Sequence, residues 1–240
     1  DRERVNFAGF PFARELPIRG GKPRAVSPRA IRAEFRRNFA DARKRIDALA
    51  ESLGEELKVY ESVVRDDPVQ ALVSACARRG PWNVIALAEA FSSPAPYSLD
   101  ELFETVTDAT GIIIAGPKAR ICPGPVVLAI EDSGHLHGML RAGERIATAL
   151  ETEIVVLLIA DDHESLARME AEVRLSLGDR KGVTLARAQA TYGDVGAVAE
   201  ALRRLSGSFA IARYGGAVVP PHRSLRPLMM SLESPLLLVK

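Results

Sequence analysis

The pattern of apolar and polar positions is clearest in the second half of the chain. "PVVLAIEDS" begins after Gly124 as a continuous apolar run and ends in acidic residues. Such a run is typical of a strand covered on both faces, as in a parallel sheet. The next segment, "LHGMLRAGERIATALE", predicts an amphipathic helix, because apolar residues recur along it at helical spacing. These positions are Met139, Leu140, Gly143, Ile146, Ala147 and Leu150.

The alternation of strand and helix continues to the end of the chain. "EIVVLLIAD", "VTLARAQATYGD", "SFAIARYGG" and "PLLLVK" are predicted strands, and "HESLARMEAEVRLSL", "VGAVAEALRRLS" and "SLRPLMMSL" are predicted helices. Strict alternation of this kind predicts an α/β fold with a doubly wound parallel sheet and right-handed crossovers.

The first half shows part of the same pattern. Ser27 and Pro28 form a predicted N-cap and first helical position, and "SLDELFETVTDATG" begins with a capping box from Ser98 to Glu101. "ELKVYESVV", "WNVIALAEAF" and "IIIAGP" are predicted strands, and "DPVQALVSACARRG" is a predicted helix. One face of the long helix after Ser27 is expected to carry Ile31, Phe35, Phe39, Ala42, Ile46, Leu49 and Leu53. We expect the segment before it to be an irregular loop that packs through Phe7, Phe10 and Phe12.

The two halves match each other in order and spacing. "RDDPVQALVSACARRGPWNVIAL" corresponds to "YGDVGAVAEALRRLSGSFAIA", and "TGIIIAGP" corresponds to "SPLLLVK". This correspondence predicts two Rossmann-like units in tandem, residues 1–120 and 124–240, the first without its opening strand–helix–strand. We expect Ile112–Ala115 and Leu236–Val239 to pair antiparallel, forming an intramolecular pseudo-dimer that covers both strand edges.

Composition narrows the class of protein. The chain has 240 residues, a net charge of +1 and two cysteines, Cys76 and Cys122. This charge gives no overall attraction to nucleic acid or to a membrane surface. The cysteine spacing suggests neither a zinc site nor a disulfide framework, which favours the cytoplasm, with Cys76 buried in a helix. The apolar runs are shorter than the roughly 20 residues that span a bilayer, so no membrane insertion is expected.

The element order and four motifs together resemble the universal stress protein family in its tandem, bacterial form. The motifs are "VVLAIEDS", "YGDVGAVAEAL", "FAIARYGG" and "SPLLLVK" in the second unit, and the first unit matches more loosely through "DDP" at 66–68. The resemblance implies a stress-response role and a nucleotide site. In the family, an acid after the first strand meets adenine and ribose, and a Gly-x-x-Gly loop followed by Gly-Ser or Gly-Thr holds the phosphates.

This chain departs from that glycine pattern. Arg213 stands at the first glycine position, Gly216 at the second, and neither "RP" at 226–227 nor "HR" at 222–223 supplies the final small pair. A proline offers no N–H donor, and a side chain at a tight turn blocks a phosphate from approaching the backbone. Degenerate ATP binding is therefore expected, with ATP or another adenine nucleotide as the one cofactor to test. The candidate nucleotide-binding residues are Ile130, Glu131, Ser133, Ala160, Arg213, Gly215, Gly216, His222 and Arg223.

Other kinds of site have weaker support. Arg213, His222, Arg223 and Arg226 could hold a different phosphate-bearing ligand or could be solvated. "EDSGHLHG" is unsuited to a metal, because residues two apart on a helix point in different directions. Ser133 fits a helix N-cap better than a nucleophile.

Two hypotheses about function therefore remain. The first is a non-enzymatic regulatory module that acts through an unknown protein partner and has lost its nucleotide. The second is a nucleotide-binding stress sensor or slow ATPase with a modified phosphate loop. No catalytic set of acid, base and nucleophile is recognisable, which favours the first hypothesis. Further oligomerisation is compatible with both.

Overall fold

The computed structural model describes residues 14–15, 24–25, 27–53, 67–78, 83–87, 98–120, 122–191 and 193–240. The chain forms two compact units, Asp1–Val63 and Val64–Lys240. Within these described ranges, no helix is both long and apolar enough to cross a membrane.

The first unit contains a long helix and a short strand pair. Strands β1 (Arg14–Glu15) and β2 (Arg24–Ala25) pair antiparallel within the segment predicted to be irregular. Helix α1 (Pro28–Leu53) begins where the sequence predicts, and the Ser27 hydroxyl accepts a hydrogen bond from the backbone N–H of Ala30. The predicted packing of Phe7, Phe10 and Phe12 lies outside the described residues.

The predicted apolar face of α1 is only partly buried. Ile31 is buried, whereas Phe39 is 43% exposed and Ile46 is 45% exposed. The described side chains of this face therefore do not form a continuous buried stripe.

The second unit contains the α/β architecture. Its helices are α2 (Pro68–Ala77), α3 (Leu99–Thr105), α4 (Leu136–Ala149), α5 (His163–Leu177), α6 (Val195–Arg204) and α7 (Arg226–Ser231). Its strands are β3 (Val84–Leu87), β4 (Gly111–Ile114), β5 (Val126–Ile130), β6 (Ile154–Ala160), β7 (Val183–Gln189), β8 (Phe209–Arg213) and β9 (Leu236–Val239). The predicted strand "ELKVYESVV" lies outside the described residues.

These seven strands form one sheet in the order β3-β4-β9-β8-β5-β6-β7. All neighbouring pairs are parallel except β4 and β9, whose antiparallel register places Ile112 opposite Leu238 and Ile114 opposite Leu236. The α/β fold class and the antiparallel pairing of the two closing strands are confirmed. The division into two repeats at residues 120 and 124, and the pseudo-dimer that it implies, stay predictions.

The sheet is covered on both faces, as its uninterrupted apolar strands require. On one face, Val127, Leu157 and Ala212 belong to a cluster that includes side chains of α2, α3, α6 and α7. On the other face, Leu128 and Ile211 pack with α4 and α5. Successive strand residues alternate between the two clusters, because side chains of a strand point to opposite faces.

Helix starts in this unit follow the capping rules at most positions. The predicted capping box is confirmed: the backbone N–H of Glu101 donates to the Ser98 hydroxyl, and Glu101 bonds back to the N–H of Ser98. The prediction that Ser133 caps a helix is wrong. The Asp132 carboxylate accepts from the N–H of Gly134 at 2.9 Å and takes that role one residue earlier, at the start of a short 3₁₀ turn.

Candidate functional site

One cleft of the second unit lies at the point where the order of strands in the sheet reverses direction. After β5 the chain passes through α4 to β6, which lies beside β5 on one side in the sheet. β8 lies beside β5 on the opposite side, and β9 follows β8 there. Ligands of open parallel sheets bind at the carboxyl ends of strands at such a switch point. The residues that follow β5, β6, β7 and β8 all contribute to the cleft.

The cleft has a volume of about 500 Å³. It is lined by Glu131, Asp132, Ser133, Ile159, Ala160, Asp161, Ser165, Arg168, Met169, Glu172, Ala190, Thr191, Val198, Ala217 and Val218. Its described lining combines an apolar floor with four carboxylates and one basic side chain. A polyanionic ligand would therefore enter a region whose formal charge is already negative.

The first candidate residue, Glu131, reaches from the end of β5 to the loop after β8. Its Oε2 accepts a hydrogen bond of 2.6 Å from the backbone N–H of Val218. A Cβ added to Gly216 would lie 1.4 Å from Glu131 Oε1, so the carboxylate occupies the space that the missing side chain leaves. Oε1 itself is buried and accepts no hydrogen bond from the described residues.

The two glycines in "RYGGAVV" have different structural roles. Gly215 has a left-handed φ of 85°, which glycine adopts readily, and the loop turns there. Gly216 instead leaves room for a carboxylate supplied by the protein itself. Backbone N–H groups in such loops hold anions, and at Val218 the anion is Glu131. The extra methylene of Glu131, compared with aspartate, lengthens the reach of this carboxylate.

The basic candidates do not line the cleft. His222 donates its backbone N–H to Asp100 Oδ1 at 3.0 Å, and its Nδ1 lies 3.3 Å from the same oxygen. Tyr214 also donates its hydroxyl to Asp100, and its ring stacks on Phe103 with centroids 4.1 Å apart. The Asp100 carboxylate on α3 therefore fixes the position of the segment that contains Tyr214 and His222.

Two pKa shifts accompany this contact. Burial alone would raise the pKa of Asp100, but hydrogen bonds from Tyr214 and His222 outweigh it and lower that pKa. Burial, followed by the bond to Asp100, raises the pKa of Tyr214. His222 itself adopts a left-handed φ of 56°, which is uncommon for a residue with a side chain.

The other basic candidates are also not among the residues that line the cleft. Arg223 places Nη1 2.7 Å from where a Cβ on Gly193 would stand, so its guanidinium covers that turn. Arg213 is the last residue of β8. Exposed Arg226 begins α7. Among the nine predicted nucleotide-binding positions, Glu131, Ser133 and Ala160 line the cleft, Gly216 contacts it through Glu131, and Ile130 is buried in the strand beneath it.

Sequence reasoning missed several lining residues. Ser133 donates its hydroxyl to Glu172 Oε2 at 2.6 Å, which brings the middle of α5 to the cleft. Asp161 follows β6 directly, so the same rule that selected Glu131 after β5 could have selected it. No local signal marks Glu172, because helix packing alone determines which turn of α5 faces the strand ends.

Two further predictions concern cysteine and metal. Cys76 is buried on α2, as predicted, and burial, followed by the charge of Asp108, raises the pKa of its thiol. In the part of the chain that the structure describes, no three His, Cys, Asp or Glu side chains form a group that could hold a metal ion.

Comparison with known proteins supports the fold. No family model and no curated protein matches the chain. A universal stress protein from Archaeoglobus fulgidus has a similar structure, with a TM-score of 0.62 and 12% sequence identity, over 87% of this chain and 78% of that one. This chain has the fold of that universal stress protein.

A second solved structure, a functionally unknown protein from Pseudomonas aeruginosa, has a TM-score of 0.52 and 13% identity, over 84% of this chain and 77% of that one. Both sequence identities are too low to carry an activity over from either protein. The function must therefore be argued from the site itself.

Proposed function

We propose that this protein is a universal-stress-protein-like regulatory module that acts through protein contacts and not through catalysis. One observation carries the proposal. The Glu131 carboxylate accepts a hydrogen bond from the backbone N–H of Val218 and lies against Gly216, in the loop that corresponds to the family's phosphate loop, and we infer that it takes the place of a nucleotide phosphate there.

The electrostatics support the loss of nucleotide binding. Two unit charges about 4 Å apart repel by about 4 kcal/mol at the effective dielectric constant of a protein surface. A nucleotide in the cleft would be repelled by the carboxylates of Asp132, Asp161 and Glu172. In the described lining, Arg168 is the only basic side chain that would attract it. The two basic candidates nearest the loop do not offset these carboxylates in the cleft lining: His222 is bonded to Asp100, and Arg223 lies over the turn at Gly193.

A thermal-shift titration with ATP, ADP and AMP plus magnesium tests the proposal. A ligand present at 100 times its Kd would stabilise the fold by about 2.7 kcal/mol, which corresponds to a Tm rise of about 5–11 °C for a chain of this size. We expect no rise at millimolar nucleotide. A saturable rise at micromolar nucleotide would overturn the proposal and favour the nucleotide-binding stress sensor or slow ATPase.

A single substitution tests whether the Glu131 carboxylate, and not the rest of the cleft, prevents nucleotide binding. Glu131→Ala removes the internal anion and leaves the N–H of Val218 available, so nucleotide affinity should rise relative to the unmodified chain. Glu164→Ala is the matched control, because Glu164 is an exposed residue in the first turn of α5 and does not line the cleft.

A further inference from the structure

Strand β7 (Val183–Gln189) stands at one end of the seven-stranded sheet. It pairs in parallel with β6 over seven consecutive residue pairs, and among the strands of the described ranges none pairs with its other edge. Every residue of β7 is at least partly exposed, whereas β5 and β9 are buried throughout. The apolar residues of β7 are therefore incompletely covered in a single chain.

Alternate residues of β7 direct their backbone groups away from β6. The carbonyl of Gly182 accepts from the N–H of Ile154, and the N–H of Ala190 donates to the carbonyl of Ala160, each at 2.9 Å. Because a strand uses every second residue to bond one parallel neighbour, the even-numbered residues of β7 face β6. The outward groups belong to Val183, Leu185, Arg187 and Gln189. Such a row of outward N–H and C=O groups is a template for a further strand.

β7 lacks the features that usually protect a sheet edge. It is seven residues long, contains no proline, and keeps step with β6 at every position, which excludes a bulge. Its one charged side chain, Arg187, pairs with the buried carboxylate of Glu170 on α5, which offsets its charge. An edge with none of these protections favours a strand that covers it.

We propose that β7 pairs antiparallel with β7 of a second copy of this chain, across a twofold axis. Only the register with its axis at Ala186 pairs all seven residues of the strand. It places Leu185 opposite Arg187 of the second copy and Val183 opposite Gln189, so that outward backbone groups meet outward backbone groups. An axis at Arg187 would instead place two like charges opposite each other, which is unfavourable.

The side chains beside this axis permit the pairing. Ala186 and Ala188 pack against the cluster on the α6 face, and Thr184 lies on the same face. In the proposed register the two Ala186 residues form a non-hydrogen-bonded pair with Cα atoms about 4.5 Å apart, where side chains approach most closely. On the other face, the apolar stem of Arg187 would cover Leu185 of the second copy, which is only partly buried in one chain.

Disulfide cross-linking tests this register. Cysteines whose Cα atoms are about 4.4–6.8 Å apart can form a disulfide, so Ala186→Cys should link two copies under mild oxidation. Thr184→Cys is the matched control on the same face, because two Thr184 residues would lie about 14 Å apart. Both variants carry Cys122→Ser, which leaves buried Cys76 as the only other cysteine. We expect Ala186→Cys to cross-link at least about tenfold faster than Thr184→Cys.

Sedimentation equilibrium of the unmodified chain, up to about 100 µM, measures the association without a covalent bond. We expect a dimer whose population rises with concentration. Ala186→Lys places like charges opposite each other and should raise the dimer Kd at least about fivefold. Ala75→Lys adds the same charge at an exposed position on α2 and should leave the Kd unchanged.

Two results would overturn the inference. The first is a chain that stays monomeric at every concentration, which would leave the β7 edge to an extended segment of another protein. The second is a dimer that cross-links no faster through Ala186→Cys than through Thr184→Cys, which would mean that another surface associates. The cross-linking comparison remains decisive even if Ala186→Lys does not fold. Micromolar MgATP binding would overturn the proposed function but not this inference, because β7 pairing does not involve Glu131.

Discussion

The contact between Glu131 and Gly216 predicts how much stability the protein loses when a methyl group is added at position 216. A methyl group at position 216 would lie 1.4 Å from Glu131 Oε1 and 2.5 Å from the carboxyl carbon. Because Gly216 does not have a left-handed φ, alanine suits its backbone and only the carboxylate must move. Displacing the carboxylate breaks its hydrogen bond to Val218, and bonds to charged groups contribute about 1.5–3 kcal/mol.

Gly216→Ala should therefore lower the free energy of unfolding by about 2 kcal/mol, or lower Tm by about 4–8 °C. Glu131→Ala should cost about the same, since it removes the same bond. The double variant should be no less stable than Glu131→Ala alone, because the methyl group then enters space that the carboxylate has vacated. The coupling energy of this cycle is thus about 2 kcal/mol.

Urea unfolding of the four proteins at neutral pH measures this coupling. The m-values should stay equal, so that differences in midpoint report stability alone. Gly138→Ala is the control for a glycine-to-alanine change, because a Cβ there would meet nothing within 4 Å. Strictly additive losses in the double variant would refute the reasoning, since they would mean that a group other than Glu131 fills the space at Gly216.

Three further predictions concern stability. Asp100→Asn should destabilise the fold at neutral pH. Burial raises the pKa of Asp100 in the folded protein, but hydrogen bonds from Tyr214 and His222 outweigh burial and lower it. The stability difference between wild type and variant, measured as Tm against pH, should therefore shrink as pH falls below the ordinary value of 3.8. Asn83→Ala should cost about 2–3 kcal/mol in urea unfolding, because the buried Asn83 amide donates to two backbone carbonyls at 2.9 and 3.0 Å, and an unchanged midpoint would contradict this account. Leu237→Ala should cost about 2–5 kcal/mol, because Leu237 is fully buried on β9, and a loss below about 1 kcal/mol would contradict the described packing.

The sequence predicted most of the second unit because its signals are local. Continuous apolar runs identified β5, β6 and β9, and the Ser98 capping box located the start of α3. The antiparallel pairing of β4 and β9 was also predicted, from the expectation that two matching repeats would each leave the same strand edge to be covered. These features depend on periodicity, capping and edge pairing, which are properties of short segments.

The site was less predictable because it depends on contacts between distant residues. The basic residues of "HRSLRP" lie near the candidate phosphate loop in sequence, and the sequence left open whether they hold a phosphate-bearing ligand or are solvated. In the structure, Asp100 holds His222 across 122 positions of the chain. Likewise, the structure has Asp132, and not the predicted Ser133, as the helix cap. The Ser133 hydroxyl instead donates to Glu172 on another helix.

The central claim is that a carboxylate of the protein occupies the phosphate subsite. Calorimetric titration of MgATP into the unmodified chain, Glu131→Ala and Glu164→Ala tests it most directly. We predict no saturable binding to the unmodified chain or to Glu164→Ala, and a measurable gain in affinity for Glu131→Ala. Micromolar binding to the unmodified chain that Glu131→Ala leaves unchanged or weakens would contradict the account.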